Sequence, residues 1–256
     1  MMHVSANAQH VYGAQHLLAA ARLLAARKQI DVRQGADAIE AKLEAACLAA
    51  FRVATDAGHA HAADKLGAVL TTPLVLLLTR AYYSGYTLGS VALKAADLRT
   101  ARRTPVAKKV TSAQRQAAAW AEQHAAETIK GITETTRDEI RFVITRLLDQ
   151  DVPLTSREAR DLIAKAVGDK KRAQLIARTE VMRAVHEGQR QSWKDAADAG
   201  DLSVRVRRRW ITADDDATCP ICLPLDKKRA TLDGTYPGGF EGPPAHPNCR
   251  CTEQIV

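Results

Sequence analysis

The chain has 256 residues with a net charge of +8, 46% hydrophobic and only 4% aromatic residues. That length allows two domains or one large one, and the Ala- and Leu-rich make-up favours helices with enough apolar mass for real cores. The basic balance excludes nothing outright, but it points to nucleic acid, an anionic membrane or an acidic protein partner as company.

The opening residues lack a basic segment leading into an apolar core, so no signal peptide is read there and the chain is expected to be made in the cytoplasm. The first helix is expected over residues 5–28, where Leu17, Leu18, Ala21, Leu24 and Ala25 recur at helical spacing. A second, over 35–56, puts Ile39, Leu43, Ala46, Cys47, Ala50 and Phe51 on one face. Cys47 lies in that stripe and reads as a core residue, because no basic neighbour would activate its thiol. His59 and His61 stand two apart, which on a helix puts them on different faces; they read as surface residues.

The most apolar run, LGAVLTTPLVLLLTR, is interrupted by Pro73 and falls short of a membrane span. It reads as two buried helix ends meeting at the proline, with the second continuing over 72–97. Tyr82, Tyr83 and Tyr86 in that stretch fit a core face, and Gly85 and Gly89 would let another helix approach closely. The segment around 99–111, with Arg99, Arg102, Arg103, Lys108 and Lys109 about Pro105, reads as a solvated basic linker. Helices over 112–131 and 135–150 follow, the latter with Ile140, Val143, Ile144, Leu147 and Leu148 as its apolar face.

Pro153 breaks the pattern, Thr155 or Ser156 is a candidate N-cap, and Gly168 a candidate C-cap. A long helix is expected over 169–199 with Leu175, Ile176, Val181, Met182 and Val185 turned inward, ended by Gly200. Beyond Gly200 the period drops to two. Val204, Val206, Arg208 and Trp210 alternate with Arg205, Arg207, Arg209 and Ile211, which predicts a strand. The closing CTEQIV is a second short strand able to pair with it. Between them lies a Gly- and Pro-rich loop with too little apolar surface to hold its shape by burial alone.

Four of the five cysteines fall in this last part. Cys219 and Cys222 form a C-x2-C pair, and His246, Cys249 and Cys251 close the loop as H-x2-C-x-C. Two close ligand pairs joined by a loop are what tetrahedral Zn²⁺ takes, and clustering of this kind argues against a secreted disulfide scaffold. The first choice of ligands is Cys219, Cys222, His246 and Cys249. In the alternative set Cys251 replaces Cys249 or His246, since residues two apart on a strand face one side. Four protein ligands would make a closed, structural site. A catalytic version would recruit Asp214, Asp215, Asp216, Glu241 or His246; a His-Asn-His nuclease would need a second histidine, and none lies between His186 and His246. The plainer reading of the three aspartates is that they balance the neighbouring RVRRR.

The sequence LIARTEVMRAVHEGQRQSW, the strand bearing Trp210, DDDATCPICLPLD and the closing PPAHPNCRC together resemble the phage Mu F-like head morphogenesis proteins, also called minor head or minor capsid proteins. The resemblance covers about the last 120 residues. It implies a virion component present in few copies near the portal vertex of the head and bound to the portal protein. Contact with capsid or scaffolding protein and non-specific contact with DNA go with it, as does a part in procapsid assembly, packaging or delivery. No enzymatic activity and no membrane association are implied. Arg178 and Glu180, in the ARTE of that resemblance, are given a structural or interface role. The expected architecture is mainly α: a helical N-terminal domain over 1–133, then a Mu F-like domain over 134–256. Within the latter, a small α+β zinc module occupies 201–256. A zinc-dependent nuclease and a DNA-binding zinc module stand as the alternatives; the second lacks a recognition helix beside the ligand pairs.

Overall fold

The computed structural model describes residues 36–58, 60–95, 106–150, 157–202, 205–212 and 218–256. The expected helix over 5–28, His59, most of the basic linker, the candidate caps Thr155 and Ser156, and Asp214 to Asp216 lie outside them.

Helix α1 covers residues 36–56 and buries the face read from its spacing: Leu43, Cys47, Ala50 and Phe51 are all enclosed. Helix α2 runs Ala62–Ala95 and carries Pro73 inside it. The two-helix reading of this run is therefore corrected. Leu66, Leu70, Leu74, Leu77 and Leu78 form one buried stripe on both sides of the proline. Packing of that stripe outweighs the lost backbone hydrogen bond. By length and composition α2 is apolar enough to cross a membrane. In this fold its leucine face is the shared core of α1, α3 and α5.

Helix α3 runs Val106–Asp149 without a break, so the helices expected over 112–131 and 135–150 are one, and the last part of the expected linker already belongs to it. Its buried positions Ala113, Ala117, Ala121, Ala125, Ile132, Thr136 and Ile140 continue straight through the suspected gap. The hydroxyls of Thr135 and Thr136 donate to the carbonyls of Gly131 and Ile132, which lets polar residues sit inside a helix. Leu147 is buried but Leu148, expected beside it, is exposed. The expected domain boundary at 133/134 falls within this helix.

Helix α4, Arg157–Val167, buries Ala159, Ile163 and Val167 and is joined through Gly168 to α5, Lys170–Asp198. Asp169 caps α5 by accepting from the Arg172 N–H. Val181 and Val185 face the core as expected; Leu175 does not, being 42% exposed. Helices α2 and α5 cross at backbone distance. A Cβ built at Gly85 would lie 2.6 Å from the carbonyl carbon of Val185, and one at Gly188 would lie 2.8 Å from that of Tyr82. Tyr82 and Tyr86 are buried around this crossing, and the Tyr86 hydroxyl donates to Asp195 of α5.

After α5 the chain forms a small antiparallel sheet of order β2-β1-β3, with β1 Arg208–Ile211, β2 Arg229–Ala230 and β3 Thr252–Ile255. The terminal strand pairs with β1 as the sequence predicts, from Arg208 opposite Ile255 to Ile211 opposite Thr252. The two-residue β2 was not read from the sequence. Trp210, Leu225, Tyr236 and three cysteines make a compact core on one side of this sheet.

Candidate metal centre

The turn Thr218 to Leu225 brings the first ligand pair together by its own hydrogen bonds. The N–H groups of Cys222 and Leu223 both donate to the Cys219 carbonyl, and the Cys222 N–H also reaches the Cys219 sulfur at 3.4 Å. A short 3-10 helix, Leu223–Leu225, follows and buries Leu225 as its anchor. Asp226 then accepts from both the N–H and the hydroxyl of Thr212, each at 3.1 Å, tying the turn to the end of β1.

The second group arrives on the segment 246–251. His246 Nε2 lies 3.0 Å from Cys219 Sγ and 3.2 Å from Cys222 Sγ, while Cys222 Sγ lies 3.7 Å from Cys249 Sγ. The donors form two triads that share Cys222, one with Cys219 and His246 and one with Cys249 and Cys251. None of the four cysteines is in a disulfide. A cavity of about 30 Å³ lies between them, walled by Cys219, Cys222, His246, Asn248 and Cys251.

These distances can be held against the metal chemistry. Zn–S bonds of about 2.3 Å and Zn–N bonds of about 2.0 Å set tetrahedral edges of roughly 3.8 Å between sulfurs and roughly 3.5 Å between sulfur and nitrogen. The sulfur edge matches. The sulfur–nitrogen edges are shorter by a few tenths of an ångström, within reach of a small turn of the imidazole. The soft N/S donor set and its size fit a metal ion, and four of these five residues would hold it.

The donors are electrostatically prepared in different ways. Burial works against ionisation of Cys219, but the backbone N–H groups of Cys222 and Ile221 and the nearby His246 outweigh it, holding this thiol below its ordinary value. Burial pushes Cys222 up to about 12. The Cys251 thiol donates to Cys249 and, with backbone N–H groups, brings Cys249 down to about 5. The same bond and burial drive Cys251 upward. Burial would lower His246, but the Pro247 carbonyl and the neighbouring sulfurs raise it.

The remaining residues singled out in the sequence lie beside this centre. Arg178 Nη1 donates to Asn248 Oδ1 at 2.8 Å, and its Nε faces Glu40 at 3.7 Å. Glu180 points to the other side of α5, where its Oε2 lies 2.6 Å from His124 Nε2 of α3 and also accepts from Thr128. Cys47 is far from the centre and enclosed by α1's partners; burial pushes its thiol up to about 12, in keeping with a core role.

Sequence reasoning missed several participants. Thr179 accepts the Asn248 N–H at 3.0 Å, and His186, buried on α5, donates from Nε2 to the Cys251 carbonyl at 3.1 Å. Arg208 is enclosed and pairs with Glu253 at 2.6 Å, on the facing strand. It also donates to the carbonyls of Thr231, Gly234 and Glu241 and lies over the Tyr236 ring. The signal for Arg208 was present: an arginine at an inward position of an alternating strand needs a buried acid, and Glu253 is the inward acid of the other strand.

Compared with protein families, residues 144–254 match the family described as Phage Mu protein F like protein. No curated protein and no solved structure matches the chain.

Proposed function

We propose that this chain, whose residues 144–254 form a Phage Mu F-like segment, is a minor head protein of a tailed phage or prophage, bound at the portal vertex and acting in head assembly and DNA packaging or delivery. The single observation that carries the reading is the family match, which runs from the end of α3 through the ligand-bearing C-terminal segment. The physical picture is compatible with it. A largely helical chain with a net charge of +8 suits a position between an acidic protein surface and packaged DNA. Its DNA contacts would be non-specific and weakened by salt. Helix α2 serves as a core helix in this reading, not as a membrane span.

In the same reading the metal is Zn²⁺ in a structural role. Cys219, Cys222 and His246 supply three ligands and Cys249 or Cys251 the fourth. Four protein ligands leave no open position for an activated water, so the centre braces the module and no catalysis is assigned to it. Capsid or scaffolding protein is a further partner of the assembled head.

The test is co-expression with a portal protein of the same phage or prophage, followed by sedimentation. Co-sedimentation with the portal oligomer and with heads is expected. A chain that never associates with either would overturn the reading, and metal-dependent cleavage of DNA by the purified chain would replace it with the nuclease alternative.

A further inference from the structure

Three side chains of α5 fall on one line along the helix. Thr179, His186 and Arg190 are related by i, i+7 and i+11, positions within about 40° of each other around a helix of 3.6 residues per turn. The first two meet the C-terminal segment in order. Thr179 Oγ1 accepts from the Asn248 N–H at 3.0 Å. His186 Nε2 donates to the Cys251 carbonyl at 3.1 Å. Arg190, largely buried, pairs with Glu187 of its own helix at 2.5 Å, and its positive charge also bears on the enclosed carboxylate of Glu253. Arg178, next to the first of these, adds its bond to Asn248 Oδ1 at 2.8 Å.

The two contacts run in the same order along both chains: from Thr179 to His186 the helix rises about 10 Å, at about 1.5 Å per residue, and the segment from the Asn248 N–H to the Cys251 carbonyl spans that interval. The first contact is also built to point outward: the Thr179 hydroxyl donates its proton to the Leu175 carbonyl at 2.7 Å, which leaves its lone pairs for the Asn248 N–H. Asn248 itself has φ +63°, a left-handed turn between His246 and Cys249, and it walls the donor cavity.

We propose that Arg178, Thr179 and His186 are positioning residues for the metal centre. They hold the turn His246 to Cys251 in register so that its ligands meet Cys219 and Cys222. This rests on the metal reading above, and it gives the ARTE stretch and the histidine seven residues after its threonine one physical task. Linkage makes the effect reciprocal: metal binding tightens the hold of the C-terminal segment on α5.

The test uses the full chain and Zn²⁺ alone, with affinity measured by competition against a chromophoric chelator and helix content by far-UV circular dichroism. Arg178→Ala/Thr179→Val is expected to keep its helices and bind Zn²⁺ about 10–100-fold more weakly, the usual cost of losing groups that orient metal ligands. Thr179→Ser keeps the acceptor and should bind like the parent chain, a rescue that a role confined to helix packing would not give. Asn248→Gly keeps the N–H and the left-handed backbone but loses the Arg178 bond, so a smaller loss is expected. It carries the test if the double variant does not fold. Unchanged Zn²⁺ affinity in the double variant, or in Asn248→Gly when the double variant does not fold, would overturn the proposal. A parent chain that binds no Zn²⁺ would instead sink the metal reading itself.

Discussion

Replacing Gly85 with alanine sets two effects of opposite sign against each other. Alanine is the better helix former by about 1 kcal/mol, so intrinsic preference alone predicts stabilisation. At Gly85, however, the new methyl would stand 2.6 Å from the Val185 carbonyl carbon and 2.8 Å from its Cα, and closer still to the oxygen. Ordinary contact begins near 3.4 Å, so α2 and α5 must part by roughly 1 Å at their crossing. The opposing atoms are helix backbone and cannot rotate away. Overpacking typically costs about 1–3 kcal/mol, and a rigid opponent puts this case at the upper end. The net expectation is a loss of about 2 kcal/mol, or roughly 4–8 °C in melting temperature for a chain of this size. Gly131→Ala is the matched control. It lies exposed in the middle of α3, and an added methyl there meets nothing within 4 Å. That variant should gain up to about 1 kcal/mol. Urea unfolding followed by circular dichroism measures both. If both variants gain stability alike, the close crossing of α2 and α5 is wrong.

Other consequences can be checked separately. Cys219→Ser should abolish stoichiometric zinc and open residues 218–251 to protease while the helices persist, since structural zinc supplies on the order of 10 kcal/mol of apparent folding free energy in small modules. Full metal content with an intact module would refute the ligand assignment. Arg208→Met leaves the enclosed Glu253 without its main partner and should cost about 3–5 kcal/mol. Arg208→Met/Glu253→Leu should recover much of that loss in the same unfolding assay. Asp226 carries a pH signature. Burial would raise its carboxyl, but the Thr212 N–H and hydroxyl and the Lys227 ammonium outweigh burial and hold it below the ordinary 3.8. Its stabilising effect is therefore fully present above pH about 4 and is lost as pH falls through the lower native value. In Asp226→Asn that acid-side loss should disappear from the pH profile of the melting temperature.

The parts legible in the sequence were those governed by local rules. Helix α5 was delimited to within a residue at each end, because Asp169 is a capping side chain and Gly200 takes φ +73° just past the end. The β1–β3 pairing followed from alternation in two short runs, and the metal donors from cysteine spacing. What failed were places where a local breaker met a long-range stripe. Pro73 was expected to divide α2, but the leucines on both sides of it share one core. Two helices, over 112–131 and 135–150, were expected where α3 is one, because its buried stripe through Ala125, Ile132, Thr136 and Ile140 continues across the gap. Contacts across about 70 residues, such as Thr179 with Asn248, have no local signature at all.

The C-terminal module needs support from two directions because its own architecture is slight. Its outer strands have two and four residues, too few for a sheet to stand by itself. Its core supplies Trp210, Tyr236 and Leu225 but also encloses a charged pair, Arg208 and Glu253, whose removal from water is costly. The metal donors close the loop at one end, and α5 holds the returning chain along its length. Each support alone leaves a different part less held: without the donors the Cys219–Cys222 knuckle is tied, among the described residues, through Leu225 and Asp226, and without α5 the segment from Asn248 to Cys251, ahead of β3, loses its contacts. Helix α5 is at once a core helix of the body and the bed for this segment. His186 stands between Val185 and Gly188 of the α2–α5 crossing, so the helix face that makes the crossing also carries a contact to the ligand turn.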